Sequence, residues 1–223
     1  VALIAHRGFA AERAENTIPA LERAAGIADA VEFDVRRCGS GEPVVVHDET
    51  VDRVTDSAGP VSAFTADELA AMDVLESGAG IPTLAAVAAA LPADTPLYVE
   101  LKESGLATEV LDALDDHEGR VTIIAFDRDV LRAVGAADPT VPRAVLAGSL
   151  RDCPVATALE LGCAGVNVRP RLLALPSVRR AAQALGLHVG VWTVNDRATA
   201  RLVELLGADA ITSDHSDFVA TNR

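Results

Sequence analysis

Two apolar segments of this chain carry charges at alternate positions. One reads Val31-Glu32-Phe33-Asp34-Val35, the other Tyr98-Val99-Glu100-Leu101-Lys102. In a strand, residues i and i+2 share a face, so Glu32 projects with Asp34 and Glu100 with Lys102. Charges that project from buried strands are costly unless paired or bound to an ion. Three carboxylates suit a hard divalent cation, Mg²⁺ or Ca²⁺, whereas zinc would call for more nitrogen or sulfur. Lys102 is the sole lysine among 223 residues, where arginine occurs 18 times. That scarcity points to a position requiring an ammonium. The structural alternative is a ring of salt bridges joining these carboxylates to Arg7 and Lys102.

Two histidines stand in comparable places. His6 follows the apolar run 2–5, and His47 follows Val44-Val45-Val46. Either alone could be a packing histidine. As a pair beside three carboxylates, they read as neutral-pH acid and base. Arg7 and Lys102 supply positive charge in an otherwise acidic chain, and a guanidinium fork beside an ammonium suits phosphate. Trp192, the only tryptophan, is either core packing or a flat apolar wall for a polyol or leaving group. Asn195 and Asp214 also fall at strand ends. His117, in a polar run, reads as solvated, His188 as lying at the far end of its strand, and His215 as weakly placed.

Positioning these groups requires a scaffold whose strand ends meet. Short apolar strands are predicted at 2–5, 30–35, 97–101, 121–126, 143–147, 165–168, 187–194 and 208–212. Helices are predicted between them at 17–26, 84–91, 106–116, 129–135, 154–161, 177–185 and 197–206, several followed by a terminating glycine. Alternation of this kind means parallel pairing. Eight units in this length predict a (β/α)₈ TIM barrel, with a doubly wound open sheet as competitor. One segment breaks the rhythm. Residues 43–48 read as a strand too close to Val35 for a parallel crossover, hence a hairpin-like return. A long polar stretch follows, with a short helix predicted at 66–72. Residues 48–82 are therefore expected to be a small insertion after strand two, beside the site.

Half the residues are apolar, which is enough for one core, and a single catalytic domain over 1–223 is expected. No apolar run reaches membrane-spanning length, so no transmembrane segment is expected. The N-terminal residues lack the apolar region of a secretory signal. Cys38, Cys153 and Cys163 are odd in number and without metal-ligand spacing. They read as reduced, buried residues of a cytoplasmic protein. A net charge of −14 argues against nucleic-acid binding, though not against a small anionic substrate. Acidity with almost no lysine suggests salt adaptation, with GC-rich codon usage as the alternative.

Taken together, the motifs resemble the glycerophosphodiester phosphodiesterase family, a branch of the phosphatidylinositol-phospholipase-C-like barrels. The resemblance rests on Ala5-His6-Arg7-Gly8, Glu15-Asn16-Thr17, Val31-Glu32-Phe33-Asp34-Val35, Val45-Val46-His47-Asp48, Val99-Glu100-Leu101-Lys102, Val191-Trp192-Thr193-Val194-Asn195 and Ile211-Thr212-Ser213-Asp214. It implies Glu32, Asp34 and Glu100 as ligands of a divalent metal and His6 and His47 as the acid–base pair. It also implies Arg7 and Lys102 on the phosphate, with Glu15 and Asn16 buttressing or lining the first loop. Ala14 departs from the usual proline, and Ala125-Phe126 from the usual Ser-Phe. The second change removes a hydroxyl near the substrate and leaves Phe126 as the substrate-side residue. The implied reaction is metal-dependent hydrolysis of a glycerophosphodiester, a small-molecule substrate, to glycerol 3-phosphate and an alcohol. A related barrel acting on lysophospholipids or other head-group diesters is the alternative. A non-catalytic phosphoester-binding barrel is more remote, because no histidine or carboxylate is lost.

Overall fold

Strands that are apolar on both faces need cover on both, and here the sheet obtains it by closing on itself. A computed structural model describes residues 1–217. Eight parallel strands form the ring: β1 (Ala2–His6), β2 (Ala30–Arg37), β4 (Leu97–Leu101), β5 (Val121–Ala125), β6 (Arg143–Ala147), β7 (Gly165–Val168), β8 (His188–Val191) and β9 (Ala210–Ser213). Pairing of β1 with both β2 and β9 closes it. The expected barrel is therefore observed, and the open sheet is not. β3 (Pro43–Val45) lies outside the ring, antiparallel to β2 with Val35 opposite Val45, the hairpin-like return expected.

Alternate residues have different destinations. Val31, Phe33, Val99, Ile123, Val145, Val166, Val189 and their neighbours form the main core under the helices. The other parity faces the barrel axis. Its lower layers are apolar, with Ile4, Ala30, Ala210, Ile124, Ala144 and Leu146 meeting Tyr98. Its upper layer holds the charged residues. Register then fixes their neighbours: His6 pairs beside Glu32, and Asp34 beside Glu100.

The covering helices are α1 (Ile18–Ala25), α3 (Leu84–Ala90), α4 (Ala107–Ala113), α5 (Arg128–Ala137), α6 (Pro154–Leu161), α8 (Pro176–Ala184) and α9 (Arg197–Leu205). Thr83, Asp127 and Asp196 cap three of them through side-chain oxygens. The insertion has its own apolar cluster, including Val44, Val46, Val51, Val54, Leu69 and Ile81. Its helix α2 (Ala66–Ala70) starts at a Thr65–Glu68 capping box.

Several expectations needed correction. The strand predicted at 187–194 ends at Val191, although the Trp192 and Val194 N–H groups still donate to the Val168 and Thr212 carbonyls, which holds the Trp192 side chain at the mouth. A further short helix, α7 (Pro170–Leu173), starts at the proline after β7. Cys153 is exposed rather than buried, as it sits in the left-handed turn that opens α6. His117 is held by the Thr95 carbonyl, 2.7 Å from Nε2, rather than solvated.

Arg143 is a charged residue in the barrel–helix layer. It is buried, and its guanidinium donates to the carbonyls of Leu131, Leu161 and Gly162, tying α5 and α6 to β6. Gly135 on α5 leaves the space for it. A Cβ there would lie 2.0 Å from Arg143 Nη1. Glycine to alanine inside a helix ordinarily stabilises by about 1 kcal/mol. Gly135→Ala is expected to do the reverse, costing about 1–3 kcal/mol as overpacking does. Thermal unfolding followed by circular dichroism checks it, and an unchanged or higher Tm would contradict the tie.

Candidate active site

The strand ends bring together every charged residue that the alternation singled out. Glu32 and Asp34 come from β2 and Glu100 from β4, and all three are buried, Asp34 completely. One oxygen from each lies within 4.8 Å of the others. Lys102 Nζ bridges two of them, 2.8 Å from Asp34 Oδ1 and 2.6 Å from Glu100 Oε1. Arg7 Nε stands 3.0 Å from Asp34 Oδ2, and its backbone N–H donates to Glu32 Oε2. Asn16 Nδ2 donates to Asp34 Oδ2 at 2.9 Å. Glu15 accepts from Arg7 Nη1 at 3.0 Å and from both Arg53 Nη atoms. Glu15 and Asn16 thus hold the first loop against the cluster.

The two histidines have the same local arrangement. His6 Nδ1 is 2.5 Å from Asp214 Oδ1, and His47 Nδ1 is 2.6 Å from Asp48 Oδ1. Each carboxylate fixes one ring nitrogen and leaves Nε2 for the site. His6 Nε2 lies 4.0 Å from Glu32. Asp214 is itself held by the Asn195 amide, and Asp48 by Arg53. Adjacency to His47 and the strand-end position of Asp214 are the signals that mark these partners in the sequence. Arg53, inside a polar loop, has no such signal.

The far wall of the pocket is apolar. Phe126 and Trp192 meet edge to face, their centroids 5.4 Å apart, and the Arg169 guanidinium lies over the indole. Trp192 Nε1 donates to the Asn167 carbonyl at 2.9 Å. Phe126 is half exposed at the mouth. Ile124, Leu146, Asn167, Thr193 and Thr212 complete the lining; the two threonines lie in motifs quoted above, but none of the five was given a role from sequence.

Burial and mutual charge decide the protonation of this cluster. Burial pushes the Glu32 carboxyl up to about 7, reinforced by the Asp34 charge and only partly opposed by His6. Burial beside Asp34 likewise raises Glu100 to about 7, despite Lys102. Asp34 resists its burial because Lys102 and Arg7 hold it well below the usual carboxylate range. His6 is raised: burial works against the charged form, but Glu32 and the Asp214 hydrogen bond outweigh it. His47 is lowered, since burial outweighs Asp34 and Asp48. The two histidines are thus biased in opposite directions. The carboxylates fit a hard cation in type, number and proximity, and Glu32 and Glu100 show that Lys102 and Arg7 leave the site short of positive charge.

Comparison with known proteins agrees with this geometry. Residues 6–218 match the model of the glycerophosphoryl diester phosphodiesterase family. A glycerophosphodiester phosphodiesterase of Caldanaerobacter subterraneus is 30% identical over 230 residues, covering 95% of this chain and 93% of the relative. Among solved structures, an Oleispira antarctica phosphodiesterase in complex with the product sn-glycerol-3-phosphate superposes with a TM-score of 0.91. It is 26% identical and covers 99% of this chain and 96% of its own. The glycerophosphodiester phosphodiesterase of Thermotoga maritima superposes with a TM-score of 0.85 at 26% identity, covering 100% and 98%.

Raised carboxyls couple cation binding to pH. With Glu32 and Glu100 at about 7, protons compete with a cation below that value. Mg²⁺ or Ca²⁺ affinity is expected to tighten from about pH 6 to about pH 8, with proton release on binding. For carboxyls raised on folding, the stabilising protonated form is complete below the unfolded value and lost as pH climbs through about 7. Chelated protein should therefore lose Tm over that interval and recover it with cation. Calorimetry in buffers of different ionisation enthalpy reads the protons. A pH-independent affinity without proton release would show both glutamates already ionised.

Proposed function

The chain belongs to the glycerophosphoryl diester phosphodiesterase family, and on that premise we propose how its own residues cleave a glycerophosphodiester to glycerol 3-phosphate and an alcohol. The observation that carries the reading is the pairing of two carboxylate-held histidines, oppositely biased, around one buried cluster of three carboxylates.

Glu32, Asp34 and Glu100 would hold a divalent cation, Mg²⁺ or Ca²⁺. Such a cation polarises a phosphoryl group and stabilises charge developing on its oxygens. The phosphate is bound by N–H donors that the internal ion pairs do not consume. Lys102 has three donors and uses two on Asp34 and Glu100, and Arg7 keeps part of its fork beyond Asp34 and Glu15. His47, biased towards the neutral form, takes the proton from the attacking oxygen at Nε2. His6, biased towards the charged form, gives one to the leaving alcohol from Nε2. Asp48 and Asp214 orient the rings and favour the imidazolium of each. Trp192 and Phe126 form the apolar wall against which carbon atoms of the substrate lie. One barrel over the chain, with β3 carrying His47 to the mouth, suffices for this chemistry.

His6→Ala and His47→Ala should each lower kcat at least about 100-fold, the usual scale of acid–base catalysis, with far smaller changes in substrate affinity. Steady-state kinetics on glycerophosphocholine or glycerophosphoethanolamine check this, and near-wild-type turnover in either variant removes that histidine from the mechanism. Lys102→Arg is expected to fail substantially with the fold intact by circular dichroism. A planar fork cannot bridge two carboxylates on different strands and still present a compact charge. Wild-type kcat/KM in that variant would reduce Lys102 to a neutralising partner of Asp34 and Glu100.

A further inference from the structure

A polar group faces the pocket from the wall opposite the carboxylates. Asn167 lies on β7, which stands four strands from β2 in either direction round the ring. Its register neighbours are Leu146 on β6 and Gly190 on β8. The side chain is only 2% exposed, it lines the pocket, and its Oδ1 has no hydrogen-bond partner. Buried polar atoms without partners are uncommon and cost stability, so the position calls for a reason. Packing alone gives none, since a leucine of similar volume would fill the same layer without the unmet acceptor.

The surroundings point to a ligand. A Cβ on Gly190 would lie 2.1 Å from Asn167 Oδ1, so β8 leaves room for the carboxamide only because it has no side chain there. The nearby wall is Ile124, Leu146 and Trp192, and the indole N–H is already committed to the backbone carbonyl of Asn167. That bond fixes β7 against the tryptophan; Oδ1 packs against Gly190, and Nδ2 of the carboxamide is the donor left for the pocket. A carboxamide both donates and accepts, as does a hydroxyl. In a mostly apolar half-pocket, a few such groups set specificity, and on β6, β7 and the Trp192 wall the carboxamide of Asn167 is the one that reaches from a strand.

We propose that Asn167 is a specificity-determining residue that receives the terminal hydroxyl of the glycerol moiety, the one farther from the phosphate. This rests on the glycerophosphodiester reading above. With the phosphate beside Arg7 and Lys102, a three-carbon chain laid along the apolar wall carries its far end across the barrel to β7. The hydroxyl adjacent to the phosphate stays on the carboxylate side. The leaving alcohol faces the mouth, where Phe126 is half exposed.

The test compares two phosphodiesters with the same leaving alcohol, one of glycerol and one of propane-1,2-diol, which lacks only the terminal hydroxyl. Wild-type enzyme should prefer the glycerol diester about 10- to 100-fold in kcat/KM, as sites built to bond a hydroxyl reject its absence. Asn167→Leu should bring that ratio close to one, chiefly by losing rate on the glycerol diester. Its Tm should be unchanged or higher, because the unmet acceptor is gone. Asn167→Ala, read the same way, serves if the leucine variant does not fold. A wild-type enzyme without the preference, or a folded variant that keeps it, overturns the assignment. A wild-type enzyme that cleaves neither diester overturns the functional reading beneath it instead.

Discussion

Asp34 is a carboxylate with no access to solvent, and much of the barrel mouth is arranged so that it can stay ionised. Two cations and one amide converge on it: Arg7 Nε, Lys102 Nζ and Asn16 Nδ2. Two of them come from a loop that must double back to reach it. Arg7 and Asn16 both adopt left-handed backbone, at φ 51° and 58°, a region that residues other than glycine seldom occupy. The Asn16 N–H closes the loop on the Arg7 carbonyl. Gly8, also at positive φ, lets it pass against Ala20 of α1, where a Cβ would come within 2.8 Å of backbone. The conformation of this segment is thus set by one buried charge and not by local preference. Burial, reinforced by the charge that Asp34 keeps, makes it hard for Glu32 and Glu100 to keep theirs.

The insertion is joined to the same network. Its apolar cluster is its own, yet its polar link runs through Arg53 to Glu15 and Asp48, and so to Arg7 and His47. His47 follows β3, two residues beyond the last residue paired with β2. A ring mounted on a short edge strand needs such bracing. The Asp48–Arg53–Glu15 bridge supplies it by joining the loops after β1 and β3 directly.

Much of this was legible in the sequence, for reasons of geometry. The i, i+2 placement of Glu32 with Asp34 and of Glu100 with Lys102 survives folding because strand parity is rigid. Parallel register then sets Asp34 beside Glu100 without further information. Helix positions followed from their alternation with the strands and from terminating glycines. What escaped had no local signature. Asn167 sits in Gly165-Val166-Asn167-Val168, where one polar residue in a buried strand acquires meaning only from the glycine opposite it on β8. Arg143 opens a predicted strand, and its role appears only when α5 and α6 close over it. The exposure of Cys153 depends on a left-handed turn that its residue type does not foretell. The strand end was overrun at 192–194 because the apolar run continues past the point where the backbone ceases to be regular strand, even though Trp192 and Val194 keep hydrogen bonds to the Val168 and Thr212 carbonyls.

The placement of Trp192 also has an optical consequence. It is the only tryptophan in the chain, and its ring forms a wall of the pocket between Phe126 and the Arg169 guanidinium. All tryptophan emission from the protein therefore originates where ligands would sit, in contact with a cation and hydrogen-bonded at the indole nitrogen. Occupancy of the pocket can be read from the colour and intensity of that emission in the unlabelled protein, even with compounds that are never turned over.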